Sequence, residues 1–184
     1  MERQGFTLVE LLATLAIATI LLTMVFPALS RFITESQLAT THNRLLTTLR
    51  AARSEAVKRG DPMVVCNGEP QEGCDSDNGW EKGWYSAVVP RGVNKCQDAD
   101  GDGRCDSHGG EIMYQEGSVA EGVSVDGNGV NLVSQVRFKP NGIAAGYAGT
   151  LSICPPADAD IKGTGIVISI VGRMRQAQAS DLAC

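Results

Sequence analysis

The chain has 184 residues, enough for one domain with its own core plus an extension and too few for two full domains. Its formal charge of −5 is unevenly divided: residues 1–59 carry seven Lys/Arg against four Asp/Glu, and residues 60–184 carry nine against seventeen, a net of −8. A C-terminal part this acidic repels nucleic acid on average, so any nucleic-acid contact has to be a small, locally basic site.

Much of the apolar content sits in the first thirty residues. The chain opens Met-Glu-Arg-Gln-Gly-Phe-Thr-Leu-Val-Glu-Leu-Leu, and from Leu11 to Ser30 it carries no charge. That run is about the length needed to cross a bilayer as a helix, and Arg3 ahead of it favours a cytoplasmic N-terminus. Glu10 is the anomaly. A carboxylate in an apolar span costs about 2.5–3.5 kcal/mol at mid-membrane, and the nearest cation in sequence is Arg3, beyond Gly5. Composition alone fits a removable secretory signal cut near Ala28 or Ser30, or a plain membrane anchor.

The stretch Gly5-Phe6-Thr7-Leu8-Val9-Glu10-Leu11-Leu12 closely resembles the type IV prepilin motif. This resemblance implies cleavage by prepilin peptidase after Gly5 and N-methylation of the new terminus, Phe6. It also implies a partner for the stray carboxylate, because the ammonium of Phe6 in one subunit pairs with Glu10 of a neighbour. Pro27 sits where pilin helices commonly bend.

Beyond Pro27, Phe32, Ile33, Leu38, Leu45, Leu46, Leu49, Ala52 and Ala56 recur at helical intervals, with Arg31, Glu35, Arg44, Arg50, Arg53 and Lys58 on the wetter face. Gly60 followed by Asp61-Pro62 stops the pattern. A helix over 6–59 would be roughly 80 Å long. Its first half has no partner in this chain, so lipid or other subunits must bury it. The segment Leu49 to Arg59, with its Ala-Arg-Ser-Glu-Ala core, is similar to the helix end of the FimT/FimU/GspH-like minor pilins; by itself it reads as a charged amphipathic helix end.

After Gly60 the period changes to strands, expected at 63–66, 84–89, 111–115, 119–125, 133–138, 149–154 and 165–171. Turn residues separate them: Asn67-Gly68, Asn78-Gly79, Asp126-Gly127, Pro140-Asn141-Gly142 and Pro155-Pro156. Seven short strands after one helix give an α+β fold with an antiparallel sheet packed on the helix. Trp80 to Trp84, Phe138 to Gly142, Leu151 to Cys154 and the terminal Cys184 also match the pilin family. The resemblance therefore implies a type IV pilin fold: a leader over 1–5, a transmembrane and assembly helix over 6–29, an amphipathic half over 30–59, and a disulfide-bonded head over 60–184. The stretch between Cys96 and Cys105 finds no place in the family pattern.

All six cysteines follow the apolar segment. In an exported chain an even number reads as disulfides, and the spacings of Cys66 to Cys74 and Cys96 to Cys105 are too long for a zinc knuckle. Six cysteines allow fifteen pairings; loop closure and the family pattern together favour Cys66–Cys74, Cys96–Cys105 and Cys154–Cys184.

Two segments carry candidate chemistry. In Gly172-Arg173-Met174-Arg175, strand alternation puts Arg173 and Arg175 on one side, where two guanidiniums can grip consecutive phosphates. In the FimT-like branch a Gly-Arg-x-Arg motif of this kind is implicated in DNA uptake during natural transformation, and Lys162, Arg137 and Lys139 would extend the patch if the fold gathers them. The plainer reading has both arginines solubilising a sheet edge or pairing with Asp158, Asp160 or Asp181. In the second segment, Asp98, Asp100, Asp102, the Arg104 carbonyl and Asp106 have the spacing of a calcium loop, with Gly103 at its sharp turn. Gly109 stands where the closing Glu belongs, which leaves Glu111 as a substitute. The plainer reading is a solvated acidic loop clipped by Cys96–Cys105.

An enzyme is excluded on the residues. Only His42 and His108 are present, and there is no His-Glu-x-x-His, no Gly-x-Ser-x-Gly and no phosphate-binding glycine loop. The expectation is a minor pilin held in the inner membrane as a prepilin, then built into a filament beside major and minor pilins, exposed to periplasm or exterior, without a cofactor unless calcium. DNA binding, purely structural priming of the pilus, and a type II secretion pseudopilin stand as its three possible roles.

Overall fold

The computed structural model of the chain describes residues 7–74, 79–106, 109–129 and 131–184. Gly5, Phe6, Asn78 and His108 lie outside the described residues. Two compact units divide between Ser36 and Gln37.

One helix, α1 (Leu8–Arg59), runs through both units. In the first unit apolar side chains such as Leu8, Leu15, Leu22, Phe26 and Ile33 stand exposed. This stretch is long and apolar enough to cross a membrane. Its hydroxyls turn back on the helix: Thr14, Thr19 and Thr23 donate to the carbonyls of Leu11, Ala16 and Ile20 at 2.7–2.9 Å. Polar side chains satisfied in this way sit in an apolar medium without a lost hydrogen bond. The helical assignment is unbroken at position 27.

The second unit begins on α1 and, among the described residues, adds eight strands: β1 (Met63–Asn67), β2 (Trp84–Val88), β3 (Glu111–Glu116), β4 (Ser124–Asn128), β5 (Gln135–Phe138), β6 (Gly149–Cys154), β7 (Thr164–Ile168) and β8 (Met174–Gln176). The single sheet expected from sequence is two four-stranded antiparallel sheets, ordered β3-β2-β1-β5 and β4-β6-β7-β8. Leu38, Thr41, Leu45, Thr48, Leu49, Ala52 and Ala56 form the buried stripe of α1, at three- and four-residue spacing. They share one core with Met63, Val65, Trp84 and Phe138 of the first sheet and Leu151, Ile153, Ile166 and Ile168 of the second.

β1 is buried along its whole length. Met63 and Val65 face the helix core, while Val64 and Cys66 face a second cluster with Tyr85, Ala87, Cys74, Cys96 and Cys105. The loop that the family pattern left unplaced therefore covers the outer face of the first sheet. Disulfides Cys66–Cys74 and Cys96–Cys105 staple this cover, and the Tyr85 hydroxyl donates to the Cys96 carbonyl beneath it. Burial, with the charge of Asp98, raises the Tyr85 phenol well above its ordinary range. A third disulfide ties Cys184 to Cys154 at the end of β6.

The expected strand over 119–125 is displaced. A turn at Glu121-Gly122 interrupts it, and β4 starts at Ser124, opposite Cys154. Asp126-Gly127, read as a turn, lies inside β4 opposite Ser152 and Leu151. Gly127 serves a close approach instead, since a Cβ there would stand 2.1 Å from the Leu132 carbonyl oxygen.

Candidate nucleic-acid interface

The β7–β8 hairpin ends in a three-residue loop, Ile170-Val171-Gly172. Ser169 N–H donates to Arg173 O at 2.9 Å, Gly172 N–H donates to Ser169 O at 2.8 Å, and the Ser169 hydroxyl accepts from Arg173 N–H at 3.0 Å. Gly172 takes φ 76°, the left-handed residue such loops require. Arg173 leads into β8, where Met174 pairs with Ile168 and packs on the core while Arg175 pairs with Val167. Alternation sends Arg173 and Arg175 outward together, and both are exposed.

Their engagements differ. The Arg175 guanidinium donates to Asp181 Oδ2 at 2.8 Å and to the Gln176 carbonyl at 3.1 Å. Arg175 donation, then the Gln178 amide, holds the Asp181 carboxyl below the ordinary range. The Arg173 guanidinium makes no ion pair or hydrogen bond among the described residues. It lines an open groove with Arg50, Arg53, Val57 and Lys58 of α1 and Asn141 of the loop after β5. Arg53 is the strut of this groove: its Nε donates to the Gly142 carbonyl at 3.0 Å and its Nη2 to the Val171 carbonyl at 3.4 Å. Arg50, Ser54 and Lys58 follow one another at i, i+4 and i+8, a single helix face about 12 Å long. Lys58 shares Glu55 with Arg59, and donation from Arg59 holds the Glu55 carboxyl below its ordinary value.

The fold does not gather every cation expected at this patch. Lys162 stands beyond the opposite end of β7, beside the Cys154–Cys184 disulfide. Arg137 faces the disulfide-stapled side of the first sheet, opposite Val64, and donates to Asn94 Oδ1. Lys139 is exposed on the turn that closes at Gly142. Arg50 and Lys58, marked in the sequence only as a wet helix face, take the place of Lys162 and Arg137. Their i, i+8 spacing was the available signal, but nothing local says which strand they face.

In the acidic loop, oxygens of Asp98, Asp100 and Asp106 lie within 4.8 Å of one another, and Asp102 is not among them. Asp98 is buried and already accepts from the amides of Gly101, Asp102 and Gly103 at 2.8–3.0 Å. Asp106 accepts from Ala99 N–H at 2.8 Å. The Asp102 amide favours the Asp100 carboxylate, yet the charges of Asp102 and Asp106 with partial desolvation outweigh it and raise that carboxyl. Glu111, the candidate closing ligand, instead pairs with Arg59 at 3.6 Å. Hard carboxylate oxygens suit a hard cation, and three of the expected donors, Asp98, Asp100 and Asp106, are the ones gathered here. Glu10 lies exposed in the first turn of α1, its amide donating to the Thr7 hydroxyl at 3.3 Å.

Comparison with known proteins places the chain. The profile of the Type II transport protein GspH family matches residues 41–172, and that of the Prokaryotic N-terminal methylation motif matches residues 1–26. None of the curated proteins matches. Among solved structures, the chain is similar to the type IV minor pilin FimU of Pseudomonas aeruginosa (strain PAO1), with a TM-score of 0.53 and 19% identity over 81% of this chain and 94% of that one. A second crystal form of the same pilin aligns with a TM-score of 0.49 and 17% identity, over 77% of this chain and 94% of that one. The chain therefore belongs to the GspH family, with an N-terminal methylation motif and the fold of a type IV minor pilin.

Proposed function

We infer that this chain is a minor subunit of a type IV pilus that binds double-stranded DNA for natural transformation, through the Gly172–Arg175 turn. On this reading prepilin peptidase cuts after Gly5, the methylated Phe6 and Glu10 carry assembly with other pilins in the inner membrane, and the head faces outward. One observation carries the DNA reading: the unengaged guanidinium of Arg173, itself in a C-terminal part of net charge −8, shares a groove with Arg50 and Lys58 of α1. Phosphates are the natural complement of such a groove. The test uses the full oxidised chain in neutral-detergent micelles and a 25-base-pair duplex, read by anisotropy at low and physiological salt. Arg173→Ala/Arg175→Ala should weaken binding by at least about tenfold and flatten the salt slope by about 2. No binding by the parent chain at low salt overturns the reading.

A second reading, a type II secretion pseudopilin, is favoured by the description of the matched family. A deletion strain that loses protein secretion but keeps its pili would establish it.

A further inference from the structure

The tip of the β7–β8 hairpin breaks the usual rule for turns. Turn positions favour Gly, Asn, Asp, Ser and Pro, whose backbone habits suit them. Here two β-branched apolar residues occupy the tip, with Ile170 62% and Val171 52% exposed. They are held rigidly from behind: Ala144 N–H donates to the Ile170 carbonyl at 2.9 Å, and Arg53 reaches the Val171 carbonyl. Their side chains are thus presented to solvent on a fixed backbone. A third apolar side chain, Val57, 54% exposed, stands in the adjoining groove among Arg50, Lys58 and Arg173. Local rules fail most often where a site is built.

We propose that Ile170 and Val171 form an apolar wedge that enters the minor groove of DNA held by Arg173, Arg50 and Lys58, so that the site prefers a duplex whose bases unstack easily. The inference rests on the DNA-binding reading above and adds the kind of DNA selected. Apolar wedges flanked by phosphate-binding cations work by prying a base step open, and the step that opens at least cost is preferred. Charge complementarity selects the occupant: the cations answer phosphates, and the apolar pair answers sugars and base edges. An anionic bilayer offers the same two chemistries, but its flat surface cannot enter a groove. The cations line a wall about 12 Å long beside the tip, a shape that receives a rod.

The experiment uses the full oxidised chain in neutral-detergent micelles. The probes are a 25-base-pair duplex and the same duplex with two central mismatches. The parent chain should bind the mismatched duplex about fivefold to tenfold tighter. Ile170→Ser/Val171→Ser should erase that preference with an unchanged salt slope, since no phosphate contact is removed. Serine suits a turn, and thermal unfolding checks that the variant stays folded. If the parent chain shows no preference, or the variant keeps it, the wedge is overturned. If the parent chain binds neither duplex, the DNA reading itself falls; if Arg173→Ala abolishes binding while the tip variant behaves as the parent, only the wedge falls. With Ile170→Trp in nanodiscs, fluorescence quenching by brominated anionic lipid and none of it relieved by DNA would assign the tip to the membrane and overturn the proposal.

Discussion

Arg44 joins three groups. It bonds the Glu116 carboxylate, reaches the Gly117 carbonyl at 3.2 Å, and lies 5.4 Å over the ring of Trp84, whose indole N–H donates to Thr48. Burial alone would raise the Glu116 carboxyl, but donation from Tyr114 and Arg44, with the charge of Arg44, brings it below its ordinary 4.5. A carboxyl depressed in the fold stabilises above its unfolded value, and that contribution is lost as pH falls through the lower folded value. Arg44→Met should therefore lower unfolding free energy by about 1–2 kcal/mol at pH 6, and the gap to the parent chain should narrow below pH 4.5; urea unfolding at pH 6 and pH 3.5 reads both. Asp181 acts oppositely at β8, because it already occupies Arg175. Asp181→Asn keeps an acceptor for the Gln178 amide but removes the competing charge, so DNA affinity at low salt should rise about threefold to fivefold. An unchanged affinity would show that Arg175 takes no part in binding.

Among the elements, the β7–β8 hairpin depends on one position. Gly172 has φ 76°, and a Cβ there would stand 2.0 Å from the Gly142 carbonyl oxygen, the acceptor that Arg53 holds. Gly172→Ala should cost at least about 1–3 kcal/mol in chemical denaturation, with proteolysis opening first at 169–173. Retained stability and protection would mean the hairpin is not seated on α1. The helix was legible because its stripe repeats over many turns, and its stop because Gly-Asp-Pro ends any helix. β4 was not, because Asp-Gly ordinarily means a turn; here the backbone at Leu132 crosses too closely for any side chain at 127. β8, three residues that begin inside the Gly-Arg-x-Arg stretch, carries too little pattern to register.

At the scale of the molecule, the exposed apolar half of α1 carries one carboxylate. If Glu10 answers the freed terminus of a neighbour, Glu10→Ala should leave the disulfides and the unfolding midpoint of the head unchanged while recovery in sheared filaments falls at least about tenfold. Normal incorporation would remove Glu10 from assembly.

The sequence by itself determined the elements whose physics is local: an apolar run that must be covered, a helix of known end, short strands between turn residues, and the membership these imply. It also marked Arg173 and Arg175 as neighbours on one strand line. Only the tertiary structure decided that Arg175 is claimed by Asp181, that Arg50 and Lys58 rather than Lys162 and Arg137 stand beside Arg173, and that the cysteine-rich loop roofs a second core. Those contacts join positions as far apart as Arg53 and Val171, 118 residues. Which partners meet over such distances follows from strand register and helix seating, and both are set by burying one shared core that no local window of sequence contains.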